Sequence, residues 1–338
     1  MLVLLKEWEQ MSNFTYLYVL VSKPGDTYYE QTLVSAVSLR YHMPDANIVL
    51  LTDDRTASTL VGKRAEIKEY VSSIKCVDLP DTLSNMQRSR WLKTTIPEHI
   101  VTDFLYIDSD TVIVDSLKEI ESMGISLGAV LDKHSLLSNH CNRAMIEERS
   151  KKMGYCATVN DKHFNGGLLL ARRNEKNVEF FRMWHSLWLE CVKKGLSIDQ
   201  ASLAQVNYKM NGPIQELPGI WNCQVEYGIS CIDRAKILHM FVTGDKFNRR
   251  PHVLMDPEFY RKVENDGISE EIMNLIKNPW LGFKVKSQII SGVAVDYFNS
   301  YLSRLCCLLF CYSPKTKKIF SFFDKIAKMV ILKLGKRI

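Results

Sequence analysis

Two aspartates one residue apart, Asp108 and Asp110, follow the apolar run Phe104-Leu105-Tyr106-Ile107, and Thr111-Val112-Ile113-Val114 continues beyond them. The run before the pair reads as a buried strand, so both carboxylates sit where that strand ends. Side chains at i and i+2 of a strand point to one face, which would present both carboxylates to a single cation. Two like charges beside apolar residues are costly unless something neutralises them. A hard divalent cation with oxygen ligands would do so. The bland alternative is a pair of solvated turn aspartates. Against it stands the strand-end position, where open α/β sheets bind their ligands.

The elements that must position this pair come earlier in the chain. Tyr16 to Val21 reads as a strand, and Pro24-Gly25-Asp26 as a turn. Apolar spacing predicts a helix from Tyr29 to Tyr41, and Ile48 to Thr52 is the next strand. Strand, helix, strand is the opening of a nucleotide-binding α/β sheet. No Gly-x-Gly-x-x-Gly occurs, which disfavours a dinucleotide fold. Residues 67–77 read as helix or strand. Ser84 to Thr95 reads as a helix whose Arg88, Arg90 and Lys93 form a solvated face, the common fate of a charge run.

Leu127 to Asp132 repeats the pattern of a strand ending in a carboxylate. Residues 138–160 are polar and read as an irregular loop over the site. In His163-Phe164-Asn165-Gly166-Gly167, two glycines before an apolar strand imply a close backbone approach. Asn174 to Lys194 is an amphipathic helix, and Phe180, Phe181, Trp184 and Trp188 are its core face. Ser197 caps the next helix, with Asp199 as a first-turn acid favoured by the helix dipole. Trp221-Asn222 and Ile237 to Phe241 close the sheet. His239 alone reads as a core histidine as readily as a ligand, although Gly244 and Lys246 nearby suit a phosphate.

The chain has 338 residues, 46% of them hydrophobic and 24% charged, which is ample for a sizeable core. Its net charge of +6 is mild, and its location matters more than its sum. The 9 cysteines are odd in number and show no Cys-x-x-Cys pairing, which argues for a reducing compartment and against a disulfide framework or zinc site. Residues 1–9 are too short and too acidic for a signal peptide, and residues 1–10 read as an extension before a start at Met11. Past Pro257 the pattern is helical, so the expected division is a catalytic domain over 12–256 and a helical region over 257–338. Lys315, Lys317, Lys318, Lys325, Lys328, Lys333, Lys336 and Arg337 interleave with isoleucines and phenylalanines. Such a basic amphipathic segment reads as membrane-surface binding; the alternative is a helix docked on the domain.

Together these motifs resemble the retaining glycosyltransferases of family 8, over about Tyr16 to Arg250. The resemblance rests on Leu105-Tyr106-Ile107-Asp108-Ser109-Asp110, Phe164-Asn165-Gly166-Gly167-Leu168-Leu169, Ile198-Asp199-Gln200-Ala201-Ser202-Leu203 and the His239, Gly244, Lys246 group, in that order. It implies an α/β protein of the GT-A fold, with a mostly parallel nucleotide-binding sheet flanked by helices and a helical C-terminal extension. It also implies a UDP-sugar donor and a glycan or glycolipid acceptor. The metal ligands would be Asp108, Asp110 and His239, holding Mn²⁺, with Mg²⁺ as the alternative, across the donor diphosphate. Tyr28 would stack on the uracil, and Arg90 would lie near the donor. Asp132, Asn165 and Asp199 would hold the sugar hydroxyls, and Gln200 would lie beneath the anomeric carbon. Ser109, Gly166 and Gly244 would complete the nucleotide-sugar site, and Gln200 and Asp199 would be its catalytic residues. Lys246 would hold the diphosphate, but Gly244 and Lys246 are displaced from the family spacing and Phe247-Asn248 replaces Pro-Trp, so Arg249 or Arg250 stands as the alternative.

The function expected is therefore transfer of a hexose, from UDP-glucose or UDP-galactose, to a cell-surface acceptor such as lipopolysaccharide. The protein would be cytoplasmic, peripheral on the inner face of the membrane, and without a nucleic-acid partner. Competing readings are a nucleotidyltransferase and a non-catalytic sugar or nucleic-acid binding module.

Overall fold

In this computed structural model, the described residues are 14–158, 161–196, 198–228, 230–242 and 251–284, parts of 301–309, and 314–334. Ser197, Gly244, Lys246, Arg249, Arg250, Lys336, Arg337 and the N-terminal extension lie outside them.

The chain opens with β1 (Phe14–Leu20), α1 (Tyr28–His42), β2 (Ile48–Asp53), α2 (Asp54–Ser58) and β3 (Ser73–Val77). Then come α3 (Asn85–Thr94), α4 (Ile96–His99), β4 (Asp103–Ile107), β5 (Thr111–Ile113), α5 (Lys118–Glu121) and β6 (Leu127–Ala129). The second half holds α6 (Arg143–Lys152), β7 (Leu168–Ala171), α7 (Glu175–Lys193), α8 (Asp199–Lys209), β8 (Gln215–Glu216), β9 (Cys223–Gln224) and β10 (Ile237–His239). Among the described residues, the helices α9 (Pro257–Asp266), α10 (Glu270–Lys277) and α11 (Pro314–Leu334) come later in the chain.

Seven strands form the main sheet in the order β3-β2-β1-β4-β7-β6-β8. The first four are parallel neighbours, and antiparallel β7 then separates β4 from β6. The architecture is the mostly parallel, helix-flanked α/β sheet expected of GT-A. Parallel strands are covered on both faces and therefore read as unbroken apolar runs. In β1 the residues divide by parity. Tyr16, Tyr18 and Leu20 join the core that α1 covers through Leu33 and Val37, while Leu17 and Val19 join the core that α7 covers through Phe181 and Trp184. The four α7 aromatics are buried, as their spacing predicts. Helices α9 and α10 add Tyr260, Val263, Ile272 and Ile276 to the α1-side core.

Three expectations change. Residues 138–160 are not wholly irregular, because α6 lies inside them. That helix buries only Ile146 and Ser150 and carries the half-buried pair Arg143–Glu147 and the exposed pair Glu148–Lys152, so its apolar periodicity is faint. Residues 221–222 and 237–241 do not extend the main sheet. Strands β9 and β10 form a second sheet, order β5-β10-β9, in which β10 runs antiparallel to β5. Nor is the cation-bearing face of α3 solvated. Arg88 is buried between Asp53 and Asp54, and it also donates to the carbonyls of Leu79 and Pro80 at 3.1 and 3.0 Å. Lys93 is buried as well.

Among the described residues, no helix is long and apolar enough to cross a membrane. Helix α11 leaves Ile319, Phe322, Phe323, Met329 and Val330 exposed.

Candidate active site

Strand β4 ends at Ile107, one residue before the first aspartate, and β5 begins at Thr111. Asp108 and Asp110 thus lie in the turn between two sheets, and that turn, not strand alternation, brings them together. Asp108 is anchored by its backbone N–H, which donates to the Gly167 carbonyl at 2.8 Å. The backbone N–H of Met240 donates to the Asp110 carbonyl at 2.8 Å, which ties β10 to the turn. His239 on β10 then faces the pair. Its Nε2 lies 3.2 Å from Asp110 Oδ1. One ligand atom each of Asp108, Asp110 and His239 falls within 4.8 Å of the others.

The orientation of His239 follows from a chain of hydrogen bonds. Ionised Asp132 can only accept, so the Asn165 amide Nδ2 donates to its Oδ1, at 2.8 Å. Asn165 Oδ1 is then an acceptor, taking Asn222 Nδ2 at 3.0 Å and the Gly167 N–H at 2.9 Å. Asn222 Oδ1 therefore faces His239 Nδ1, at 2.9 Å, and that nitrogen must donate. The relay assigns the tautomer and leaves Nε2 directed at the carboxylates, the arrangement that second-shell partners impose on metal-binding histidines. Burial pushes the His239 pKa down, but Asp110 and Asp108 outweigh it and the net shift is upward. The Asp110 carboxyl is held below its usual range, because His239 outweighs the cost of burial. A divalent cation would sit where Nε2 and the two carboxylates face one another. Gly167 leaves room for the arrangement. A Cβ there would fall 2.5 Å from His239 Cε1 and 2.8 Å from both Asp108 Oδ2 and Asn165 Oδ1. The donor set and this cradle fit a divalent cation.

The second half of the site surrounds Asp199. Trp184 Nε1 donates to Ser202 Oγ at 3.1 Å, which packs the first turn of α8 against α7. Asp199 there points at α3. Its carboxylate lies 2.8 Å from Lys93 Nζ and 3.4 Å from Arg90 Nε. Burial opposes its ionisation, but Lys93 and Arg90 outweigh burial and hold its pKa well below the usual range. Asp199 in turn raises that of Arg90. Lys93 Nζ is also 3.6 Å from Asp108 Oδ1, so this one ammonium joins both halves of the site. The Tyr106 hydroxyl donates to the same Asp108 oxygen. Asp132 is held at about 2: burial alone would raise it, but His140, with Nε2 2.9 Å from Oδ2, lowers it further. Gln200 is gripped at both ends, its Nε2 donating to the Phe164 carbonyl and its Oε1 accepting from the Gly166 N–H at 3.3 Å. Ser109 Oγ lies 2.8 Å from Thr32 Oγ1 on α1. Tyr28 begins α1 and is 56% exposed.

The structure thus gathers Asp108, Asp110, His239, Asp132, Asn165, Gly166, Asp199, Gln200 and Arg90 into one connected set, while Ser109 and Tyr28 lie on its α1 side. Sequence reasoning missed Lys93, Asn222 and His140. Lys93 was within reach of it, because Arg90 and Lys93 are three apart and share a helix face. Nothing local marks Asn222 or His140.

The sequence profile described as Glycosyl transferase family 8 matches residues 19–246, more than half of the chain. No curated protein matches the sequence. Among solved structures, the galactosyltransferase LgtC in complex with donor and acceptor sugar analogues has a TM-score of 0.50 at 18% identity, covering 77% of this chain and 99% of its own. The glycosyltransferase GlyE of Streptococcus pneumoniae TIGR4 has a TM-score of 0.45 at 18% identity, covering 81% and 65%. A glycosyltransferase involved in glycosylation of the major capsid of PBCV-1 has a TM-score of 0.41 at 13% identity, covering 67% and 93%.

Proposed function

We propose, from the premise that the chain belongs to glycosyl transferase family 8 and is a glycosyltransferase, that it moves a hexose from UDP-glucose or UDP-galactose to a cell-surface glycan or glycolipid, with retention at the anomeric carbon. The observation that carries this reading is the convergence of Asp108, Asp110 and His239 within 4.8 Å, oriented by a relay that ends on Asp132. The residues proposed to hold the cation and those proposed to hold the sugar are thus parts of one hydrogen-bonded unit.

Asp108, Asp110 and His239 would hold Mn²⁺ or Mg²⁺. When bound, the cation supplies positive charge beside the departing diphosphate. Asp132, Asn165 and Asp199 accept or donate to sugar hydroxyls. Asp199 is too weak a base to take a proton, since Lys93 and Arg90 hold it ionised, so its work is orientation. Gln200, gripped at both ends, offers an uncharged amide beside a centre that gains oxocarbenium character. It cannot act as a carboxylate nucleophile, which favours attack by the acceptor on the face the leaving group vacates. Tyr28 would stack on the uracil. Lys246, Arg249 or Arg250 would meet the diphosphate. The lysines and exposed apolar side chains of α11 would rest on an anionic membrane surface, at the cytoplasmic leaflet.

The test is a panel of UDP-sugars, with nucleoside triphosphates as controls, incubated with and without Mn²⁺. Metal-dependent release of UDP from one hexose donor is expected, and Asp110→Asn should abolish it while thermal unfolding stays cooperative. Turnover undiminished by a chelator, or pyrophosphate release from a triphosphate, would overturn the reading.

A further inference from the structure

The described residues contain a second group of ligand-type side chains, outside the set above. One ring nitrogen of His134 and the sulfurs of Cys223 and Cys231 lie within 4.8 Å of one another. Both cysteines are buried and neither is in a disulfide. Three features of the backbone converge on this cluster. Lys133 and His134 are consecutive non-glycine residues in the left-handed region, with φ of 53° and 52°. Such backbone is costly and persists where the surroundings demand it, often at ligand clamps. Here it turns the His134 ring onto the two sulfurs. Gly219 leaves space on one side: a Cβ there would fall 2.8 Å from His134 Nδ1 and 3.1 Å from Cys231 Sγ. Gly228 leaves space on the other, with a Cβ 2.7 Å from Cys223 Sγ and 3.0 Å from His134 Nε2. Two loops therefore close over the cluster only because both positions lack a side chain.

The present bonds within the cluster are weak substitutes for a ligand. Both thiols point at one acceptor, the Gly228 carbonyl, at 3.6 and 3.3 Å. The backbone N–H of Gln224 donates to His134 Nε2 at 3.0 Å. Two sulfurs and an imidazole are a soft donor set, unlike the two carboxylates and imidazole at Asp108, Asp110 and His239. Two thiolates and one imidazole, with a fourth position for water, are an established zinc combination.

We propose that His134, Cys223 and Cys231 form a second cation site, which takes Zn²⁺. Binding breaks two S–H bonds, releases those protons to solvent and forms two thiolate–zinc bonds and one to an imidazole nitrogen. The position gives the site a purpose. His134 is two residues from Asp132, and Cys223 follows Asn222, so the ion would clamp together the two ends of the relay that orients His239.

The test uses the full chain without a metal-binding tag, titrated with Co²⁺ alone and then with Zn²⁺ alone. Expected is a thiolate-to-cobalt charge-transfer band that Zn²⁺ abolishes. Cys231→Ser and His134→Ala should weaken Zn²⁺ binding by roughly tenfold or more, since even outer-shell changes at metal sites cost that much. Asp110→Asn should leave the band unchanged, which separates this site from the carboxylate one. Cobalt binding without thiolate charge transfer overturns the proposal, as does equal Zn²⁺ affinity in Cys231→Ser. If both variants fail to fold, the spectrum of the unaltered chain decides alone.

Discussion

Replacing Lys93 with methionine tests whether one buried ammonium holds the site together. Methionine keeps the length of the side chain and removes its charge. The lysine side chain is 6% exposed and that of Asp199 is 10% exposed, so water compensates little for the loss. Asp199 would keep only Arg90, 3.4 Å away, and Asp108 would lose its nearby cation. Breaking a buried ion pair from one side costs about 3–5 kcal/mol. The surviving Arg90 contact places the expected loss near the lower bound, about 3 kcal/mol. The pH dependence has a definite sign. Asp199 has a folded pKa depressed below its unfolded value of about 3.9. Its pairing therefore stabilises the fold fully above that pH, and the stabilisation is lost as pH falls toward the folded value. Urea unfolding of wild type and Lys93→Met should differ by about 3 kcal/mol at pH 7, and the gap should narrow steadily below about pH 4. The double variant Lys93→Met/Asp199→Asn should recover much of the loss, because it leaves no unpaired carboxylate. A difference under about 1 kcal/mol at pH 7 is the size of an exposed pair and would refute the reasoning, as would a gap that does not change with pH.

Gly167→Ala should cost about 1–3 kcal/mol by overpacking, and it should weaken Mn²⁺ binding measured by calorimetry because the new methyl meets His239 and Asp108. Unchanged affinity would show that the cradle does not shape the cation site. A UDP-α-hexose should give an α-linked product by NMR, and a β-linked product would remove the role given to Gln200. Ending the chain after Pro314 should release it from anionic vesicles while UDP-sugar hydrolysis persists, each lysine near the surface being worth about 1 kcal/mol. Continued sedimentation with vesicles would show that α11 is not the anchor.

By itself, the sequence determined the elements and their class. Unbroken apolar runs at Tyr16 to Val21, Ile48 to Thr52 and Phe104 to Ile107 read as strands, and helical spacing placed the α7 aromatics in the core. The motif order marked Asp108, Asp110, Asn165, Asp199, Gln200 and His239, because each lies in a short segment whose neighbours constrain it. Tertiary structure decided what those residues touch. The second sheet arises where the chain turns at Asp108 to Asp110, and no local signal says that β10 returns antiparallel to β5. Lys93 carries the same charge as a solvated lysine; only the packing of α3 and α8 against the same helix, α7, makes it the partner of Asp199. Asn222 and His140 became part of the site through contacts with His239 and Asp132, 17 and 8 residues away. His134 meets Cys223 and Cys231 across an even longer separation, closed by two glycines and a pair of left-handed residues. Periodicity records which side of an element is buried, whereas the partner across the gap is set by how separate elements pack, and that information is not local to any stretch of the chain.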